Sequence, residues 1–125
     1  GSSWMAMYSL NMLRIALELS TFEPSYQEMA SKFFEHFLFI SKAMRNLSDD
    51  EIDLWDAEDE FYYDLLHLPA QDKSVLLKVR SLVGLIPMFA VEVLTPEIVH
   101  QLPDFTRRLE WVLKNRPDLA RMVSR

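Results

Sequence analysis

Hydrophobic residues recur along the chain at the three- and four-residue spacing of α-helices. The pattern is clearest over 24–46, where an apolar face alternates with charged positions, so we predict an amphipathic helix there. Pro24 suits the first turn of that helix. Its apolar face is made of Tyr26, Met29, Ala30, Phe33, Phe34, Phe37, Ile40 and Met44. We expect this phenylalanine-rich face to pack in the core. The alternative is that it binds a cofactor or a partner.

The segment 4–20 is different, because it carries apolar residues on nearly every side. Helices of this kind are normally buried, which is unusual for the first helix of a small independent domain. Gly1, Ser2 and Ser3 suggest a cloning remnant or the edge of a longer chain.

Further along, the pattern changes. Ser48 and Glu51 fit a capping box that would start a short helical turn. Two aromatic and aliphatic runs then flank a polar connector, which predicts a short β-hairpin of 61–67 paired with 75–79. Such a hairpin is weak alone and must lie against helices.

The last third of the chain predicts helices again. We expect a mostly buried helix over 81–94, capped by Ser81 and kinked or shortened by Pro87. Thr95 should cap a short helix that runs to about Leu102.

Asp104 should cap a long helix from 105 to about 115, which Pro117 ends. Its inward residues are Phe105, Leu109, Val112 and Leu113. The expected fold class is mainly α, with one short β-hairpin.

Composition narrows the functions. A chain of 125 residues is one domain, and its net charge of −6 disfavours nucleic acid and anionic membrane surfaces as partners. The absence of cysteine excludes disulfides and thiol chemistry. The three histidines are far apart in the sequence, which argues against a zinc site built on histidine. We expect no metal and no cofactor. The longest apolar runs are too short to span a bilayer, so a cytoplasmic location is the default expectation.

The stretch "WDAEDEFYYD", residues 55–64, carries the candidate chemistry, with five carboxylates and four aromatic residues. Acids accept hydrogen bonds from sugar hydroxyls, and flat rings cover the apolar faces of pyranoses. A calcium loop starting at Asp56 fails, because Phe61 stands where glycine is needed and His67 where glutamate is needed. Catalysis by paired acids, contact with a ligand and a structural role all remain open, and Asp56, Asp59 and Asp64 are the candidates.

Blocks along nearly the whole chain resemble large bacterial proteins of the glycoside hydrolase family 63 type. These blocks are "WMAMYSLNMLRIALEL", "EMASKFFEHF", "LWDAEDEFYYD", "KVRSLVGLIPMFAVE" and "RRLEWVLKNRPDL", and "KVRSLVGLIP" is the most specific of them. The resemblance implies an (α/α)6 toroid that hydrolyses α-glycosidic bonds with inversion, on α-glucosides or related oligosaccharides. It also implies that the catalytic Asp and Glu lie before and after this chain, so we expect no catalytic residue here.

Within the resemblance, Trp55, Asp56, Asp59, Tyr63 and Asp64 would border or buttress a sugar cleft. Arg80 is a candidate partner for one of these acids. The related form usually has glycine at the position of Glu60, which puts the turn geometry in question because glycine permits positive φ.

A fragment of a toroid exposes faces that its neighbours would cover. We therefore expect the isolated chain to form a homo-oligomer, most simply a two-fold dimer. The expected contact residues are Trp4, Met5, Tyr8 or Met12. Two other hypotheses stay open: a self-standing helical interaction module without enzymatic role, and a small acid/base enzyme that uses the carboxylates of 56–64.

Overall fold

A helical hairpin forms the base of the fold. The computed structural model describes residues 2–45, 54–69, 73–121 and 123, and its first two elements are α1 (Ser2–Ser20) and α2 (Tyr26–Arg45). Both match the predicted helices within two residues. Tight turns at 21–25 reverse the chain between them, with Pro24 just ahead of α2 and not inside it.

Three helices of the C-terminal third close the core against this hairpin. These are α4 (Pro96–Gln101), α5 (Pro103–Asn115) and α6 (Pro117–Ala120). Thr95 caps α4 as predicted, since its hydroxyl accepts a hydrogen bond from the backbone N–H of Ile98. The buried core consists of Leu10, Leu13, Ala16, Leu17, Ala30, Phe34, Leu38, Leu102, Phe105, Leu109, Val112 and Leu119. The predicted inward residues of α5 all belong to this core or pack on it.

The cap of α5 is not the predicted one. Asp104 lies in the first turn of α5, and Leu102 occupies the cap position with no side chain able to accept a hydrogen bond. Gln27 of α2 supplies the acceptor, because its Oε1 receives the backbone N–H groups of Asp104 at 3.0 Å and Phe105 at 3.3 Å. A buried side chain from another helix thus satisfies donors that a helix start leaves unpaired.

Two small antiparallel strand pairs lie between the helical hairpin and the C-terminal helices in the chain. The first joins β1 (Trp55–Asp56) to β2 (Phe61–Tyr62), and the second joins β3 (Asp64–Leu68) to β4 (Lys73–Leu77). The predicted hairpin of 61–67 with 75–79 is therefore displaced. Phe61 and Tyr62, the first two residues of the predicted hairpin, pair with the preceding strand β1. Tyr63 separates the two strand pairs.

The helix predicted over 81–94 is shorter and more exposed than expected. Helix α3 (Leu82–Phe89) ends two residues after Pro87, and only Gly84 and Ile86 within it are buried. The expectation of a mostly buried helix is wrong for this chain, since Leu82, Met88 and Phe89 are more than half exposed. Ser81 stands at the cap position but its side chain makes no capping hydrogen bond.

A second, smaller apolar cluster fastens the strand pairs to the helical hairpin. Ala6 and Met44 from the two helices bury Leu54, and Tyr62 and Leu65 pack against them. The capping box predicted at Ser48 and Glu51 lies outside the described residues, as does most of the connector at 70–72.

The described part of the chain is mainly helical. None of its helices combines the length and the apolar character needed to cross a membrane.

Candidate functional site

The acidic stretch folds into a tight hairpin whose turn, 57–60, joins β1 to β2. Leu54, which precedes β1, is buried, and its carbonyl accepts the backbone N–H of Tyr63 at 2.8 Å. A backbone hydrogen bond thus closes the hairpin at its base, and Leu54 and Tyr62 anchor it to the helical hairpin.

Asp56 builds the turn. Its Oδ1 accepts the backbone N–H groups of Glu58 at 3.1 Å and Asp59 at 2.9 Å, as aspartate does when it starts a turn. Glu60 closes the turn with φ of 51°, in the left-handed region that favours glycine. Glu60 therefore has a backbone conformation that glycine adopts more easily.

Two basic side chains from the segment after β4 meet the acids. Lys78 Nζ lies 2.7 Å from Asp56 Oδ2 and 3.2 Å from Asp59 Oδ2. Arg80 Nη2 lies 3.0 Å from Asp59 Oδ1, so the pairing expected of Arg80 is present. We call Asp56, Asp59, Tyr63, Lys78 and Arg80 the charged cluster.

Tyr63 is the buried member of the charged cluster. Its ring is buried, and its hydroxyl donates to Asp59 Oδ2 at 3.0 Å while accepting a hydrogen bond from Arg80 Nε at 3.4 Å. Asp59 therefore accepts hydrogen bonds from three side chains, one just after β2 and two in the segment after β4. This arrangement fixes the carboxylate and leaves Lys78 and Arg80 half exposed or more.

The electrostatics of the charged cluster favour ionised acids. The hydrogen bond from Lys78 and then the backbone N–H of Asp59 lower the pKa of Asp56. The hydroxyl of Tyr63 and then Lys78 lower the pKa of Asp59. The same contacts raise the pKa of Lys78, and Tyr63 and Asp59 raise that of Arg80. A general acid needs the opposite, a carboxyl whose pKa is raised toward neutrality.

The spacing of the two acids also argues against an inverting acid/base pair. The Oδ2 atoms of Asp56 and Asp59 both contact one nitrogen of Lys78, at 2.7 and 3.2 Å. They therefore lie closer together than the roughly 6.5–9.5 Å that separates the acid and base of inverting glycosidases. The charged cluster can accept and donate hydrogen bonds, but it is not arranged as an inverting acid/base pair.

The remaining predicted site residues lie beside the charged cluster or apart from it. Trp55 is 37% exposed and packs edge to face on Tyr62, its partner across the strand pair, with ring centroids 4.9 Å apart. It offers a partly open aromatic surface at the base of the turn. Asp64 is exposed at the start of β3, opposite Leu77, and does not join the charged cluster.

Lys78 is the member of the charged cluster that the sequence interpretation missed. Between Asp49 and Asp64 there are nine acids and no basic residue, while Lys78 lies within the strand 75–79 that we predict to pair with 61–67, and Arg80 directly follows that strand. Residues two apart on an extended segment point the same way. The spacing of Lys78 and Arg80 therefore indicated that both could face the acidic stretch. Among the described residues, no group of histidine, aspartate and glutamate side chains is placed to hold a metal ion.

We predict that Lys78→Met raises the pKa values of both Asp56 and Asp59. In the folded wild type these pKa values lie below the value of about 3.9 typical of unfolded chains. The ion pairs therefore stabilise the fold above about pH 4, and that contribution is lost as pH falls through the lower folded pKa. The stability difference between wild type and Lys78→Met should accordingly shrink below about pH 4.

Carboxyl carbon NMR titration of both proteins measures these pKa values directly. Lys114→Met, which removes an exposed lysine of α5, is the matched control and should leave both aspartates unchanged. An unaltered Asp56 titration in Lys78→Met would show that the ion pair is absent in solution.

The chain is similar to a segment of a much longer yeast protein. It is 43% identical over 129 residues to "Uncharacterized protein YMR196W" of Saccharomyces cerevisiae, an alignment that covers 94% of this chain and 12% of the yeast protein. The chain thus spans only a small part of that relative's length. No family model matches the sequence, and no solved structure matches it.

Proposed function

We propose that this chain is a segment of an inverting α-glycoside hydrolase similar to family 63, acting on α-glucosides or related oligosaccharides. In this proposal the helical hairpin of α1 and α2 is part of an (α/α)6 toroid, and the hairpin of 55–62 borders its sugar cleft. The catalytic acid and base lie in other parts of the longer protein. The isolated chain is then inactive.

The observation that carries the proposal is the state of Asp56 and Asp59. Both are fixed by hydrogen bonds, with pKa values lowered by their partners. Carboxylates in that state suit a surface that holds a sugar in place, since they keep their charge and geometry without exchanging protons. They do not suit the protonation of a glycosidic oxygen.

The two acids have different parts in the proposed cleft. Asp56 is only 13% exposed, and its two oxygens accept the turn amides and Lys78, so its part is structural. Lys78 and Arg80 are 50% and 65% exposed. A lysine has three N–H donors and an arginine five, so both keep donors free for sugar hydroxyls after pairing with Asp59.

The aromatic pair beside the turn supports the same assignment. Trp55 and Tyr62 pack on each other, and Trp55 keeps part of its ring open to solvent. An indole ring supplies a large apolar surface at low cost in conformational entropy. A flat ring beside fixed hydrogen-bonding groups is the combination that a pyranose needs, because its faces are apolar and its edge carries hydroxyls.

The extent of the yeast alignment is consistent with the proposal that this chain is a segment of a longer protein. The chain matches 12% of a relative whose remaining length can supply other helices and both catalytic carboxylates. The proposal therefore places hydrolysis in the longer protein and positioning of the sugar in this segment.

The proposal predicts that the isolated chain does not hydrolyse aryl α-glucosides or aryl α-mannosides. Overnight incubation at high enzyme concentration, followed by release of the aryl group, measures this. Turnover that disappears in Asp56→Asn would overturn the proposal and favour a small acid/base enzyme. The matched control is Glu58→Gln, which removes an exposed carboxyl from the same turn.

The positive test uses the full-length yeast relative. We expect it to hydrolyse α-linked glucose disaccharides or related oligosaccharides and to release the sugar with inverted anomeric configuration, which NMR detects in the first minutes. If the full-length yeast protein hydrolyses none of a broad panel of α-glucosides and α-mannosides, the proposed activity is contradicted.

A further inference from the structure

One side of α1 is apolar, and all of its large side chains except the half-buried Met12 are exposed. Five residues from this side recur at steps of three or four and continue into the following turn at Phe22, which places them on one helix face. Trp4, Tyr8 and Ile15 are each more than half exposed, and Phe22 is 81% exposed. We call Trp4, Tyr8, Met12, Ile15, Leu19 and Phe22 the α1 stripe.

The α1 stripe lies opposite the side of the helix that packs on the rest of the fold. The buried residues of α1 are Ser3, Ala6, Ser9, Leu10, Leu13, Ala16, Leu17 and Ser20. They also recur at three- and four-residue steps, on the far side of the helix from the stripe. The core therefore uses one half of α1 and leaves the other half without a described partner.

Charge does not oppose contact at this face. The only charged residues of α1 are Arg14 and Glu18, which have opposite signs and lie 4.0 Å apart at the edge of the stripe. Arg14 also lies 3.7 Å from Glu92. By contrast, the exposed positions of α5 include Asp104, Arg107, Glu110 and Lys114. Although the chain carries a net charge of −6, the α1 stripe carries none.

The size of the stripe is sufficient for a specific contact. At 1.5 Å per residue, the helical part of the stripe from Trp4 to Leu19 is about 22 Å long. Four large side chains that are half to four-fifths exposed, with smaller contributions from Leu19 at 39% and the half-buried Met12, amount to roughly 600 Å² of surface per copy. Two such faces reach the lower end of stable interfaces, about 1,200 Å² in total. A patch of this size is at the upper limit for typical monomers.

We propose that the α1 stripe binds the same stripe of a second copy, with the two α1 helices antiparallel about a two-fold axis. Such an isologous contact places Trp4 of one copy near Phe22 of the other and brings the two Met12 residues close to the axis. Antiparallel helices also pair opposite ends of the two helix dipoles. This inference concerns the chain as an isolated protein, because in the proposed toroid neighbouring helices would cover the same stripe.

Sedimentation equilibrium over roughly 1–200 μM is the first test, because interfaces of modest area can have dissociation constants in the micromolar range. We expect a reversible monomer–dimer equilibrium in the micromolar range. Replacing both Tyr8 and Ile15 with glutamate should weaken dimerisation at least tenfold, because the change buries charge in the contact. The matched control is Leu66→Glu, which changes an exposed apolar residue of β3 and should leave the equilibrium unchanged.

Cysteine cross-linking tests the orientation and needs no disruptive substitution. The sequence contains no cysteine, so each introduced thiol is unique. Met12→Cys should form a disulfide-linked dimer readily, while Trp4→Cys alone should not. A mixture of Trp4→Cys and Phe22→Cys chains should form the mixed dimer preferentially.

Each result decides the proposal. A monomer throughout the concentration range, with wild-type helicity by circular dichroism, would overturn it and leave the stripe to a different protein segment. Efficient Trp4→Cys self-linkage would overturn the antiparallel arrangement. Because these readouts do not involve a sugar, their failure is distinguishable from failure of the proposed hydrolase.

Discussion

Replacing Gly84 with alanine is expected to lower the free energy of unfolding by about 2 kcal/mol, although alanine is the better helix former. Gly84 is buried in α3 at the contact with β2. A Cβ at this position would lie 2.2 Å from Phe61 Cε1 and 2.3 Å from the carbonyl oxygen of Tyr62. The ring of Phe61 can rotate, but the carbonyl belongs to the strand that holds the candidate site.

The sign of the Gly84→Ala effect is the informative part. Helix propensity alone would stabilise the variant by about 1 kcal/mol, so a loss requires that α3 and β2 be forced apart. Urea unfolding followed by circular dichroism measures the change. Met88→Ala, at an exposed position of the same helix, is the control and should stay within about 0.5 kcal/mol. A more stable Gly84→Ala protein would contradict the packing of α3 on β2.

The helices were predictable because their signals are local. The apolar spacing of α2, the cap at Thr95 and the proline at the start of α4 each lie within a few residues of the structure they specify. Pro87, by contrast, lies inside α3, which continues for two residues beyond it. Because proline disturbs the turn before it, the end of the helix at Phe89 does not follow from Pro87.

The features that the sequence interpretation missed depend on contacts between distant residues. Gln27 caps α5 from 77 residues away, and no local pattern distinguishes it from an ordinary polar residue of α2. The pairing of β1 with β2 likewise could not be read from the run 61–67, because alternation alone does not say which neighbour a strand joins.

The candidate site was predictable in part. Residue types alone singled out Asp56 and Asp59, and Arg80 was named as a partner for one of them. The assignment of Lys78 to both acids required the position of the segment after β4. Asp64 shows the opposite error, since it shares the acidic stretch but starts a separate strand pair.

The central claim is that this segment lines the sugar cleft of a larger hydrolase, and Trp55 gives it the sharpest test. A chimera of the yeast relative, with this chain in place of the matched segment, should retain hydrolysis of α-linked glucose disaccharides. In that chimera Trp55→Ala should lower kcat/KM at least tenfold, since loss of a ring contact worth about 1.4 kcal/mol corresponds to a factor of ten.

The matched control is Trp111→Ala in the same chimera. Trp111 is 48% exposed on α5 and packs with Arg108, away from the 55–62 hairpin. The decisive measurement is therefore the ratio of kcat/KM values for the two tryptophan variants. We expect kcat/KM of Trp55→Ala to be at least tenfold lower than that of the parent chimera. The kcat/KM of Trp111→Ala should stay within about twofold of the parent, a difference of less than about 0.5 kcal/mol. Equal effects of the two substitutions, or no effect of Trp55→Ala in an active chimera, would contradict it.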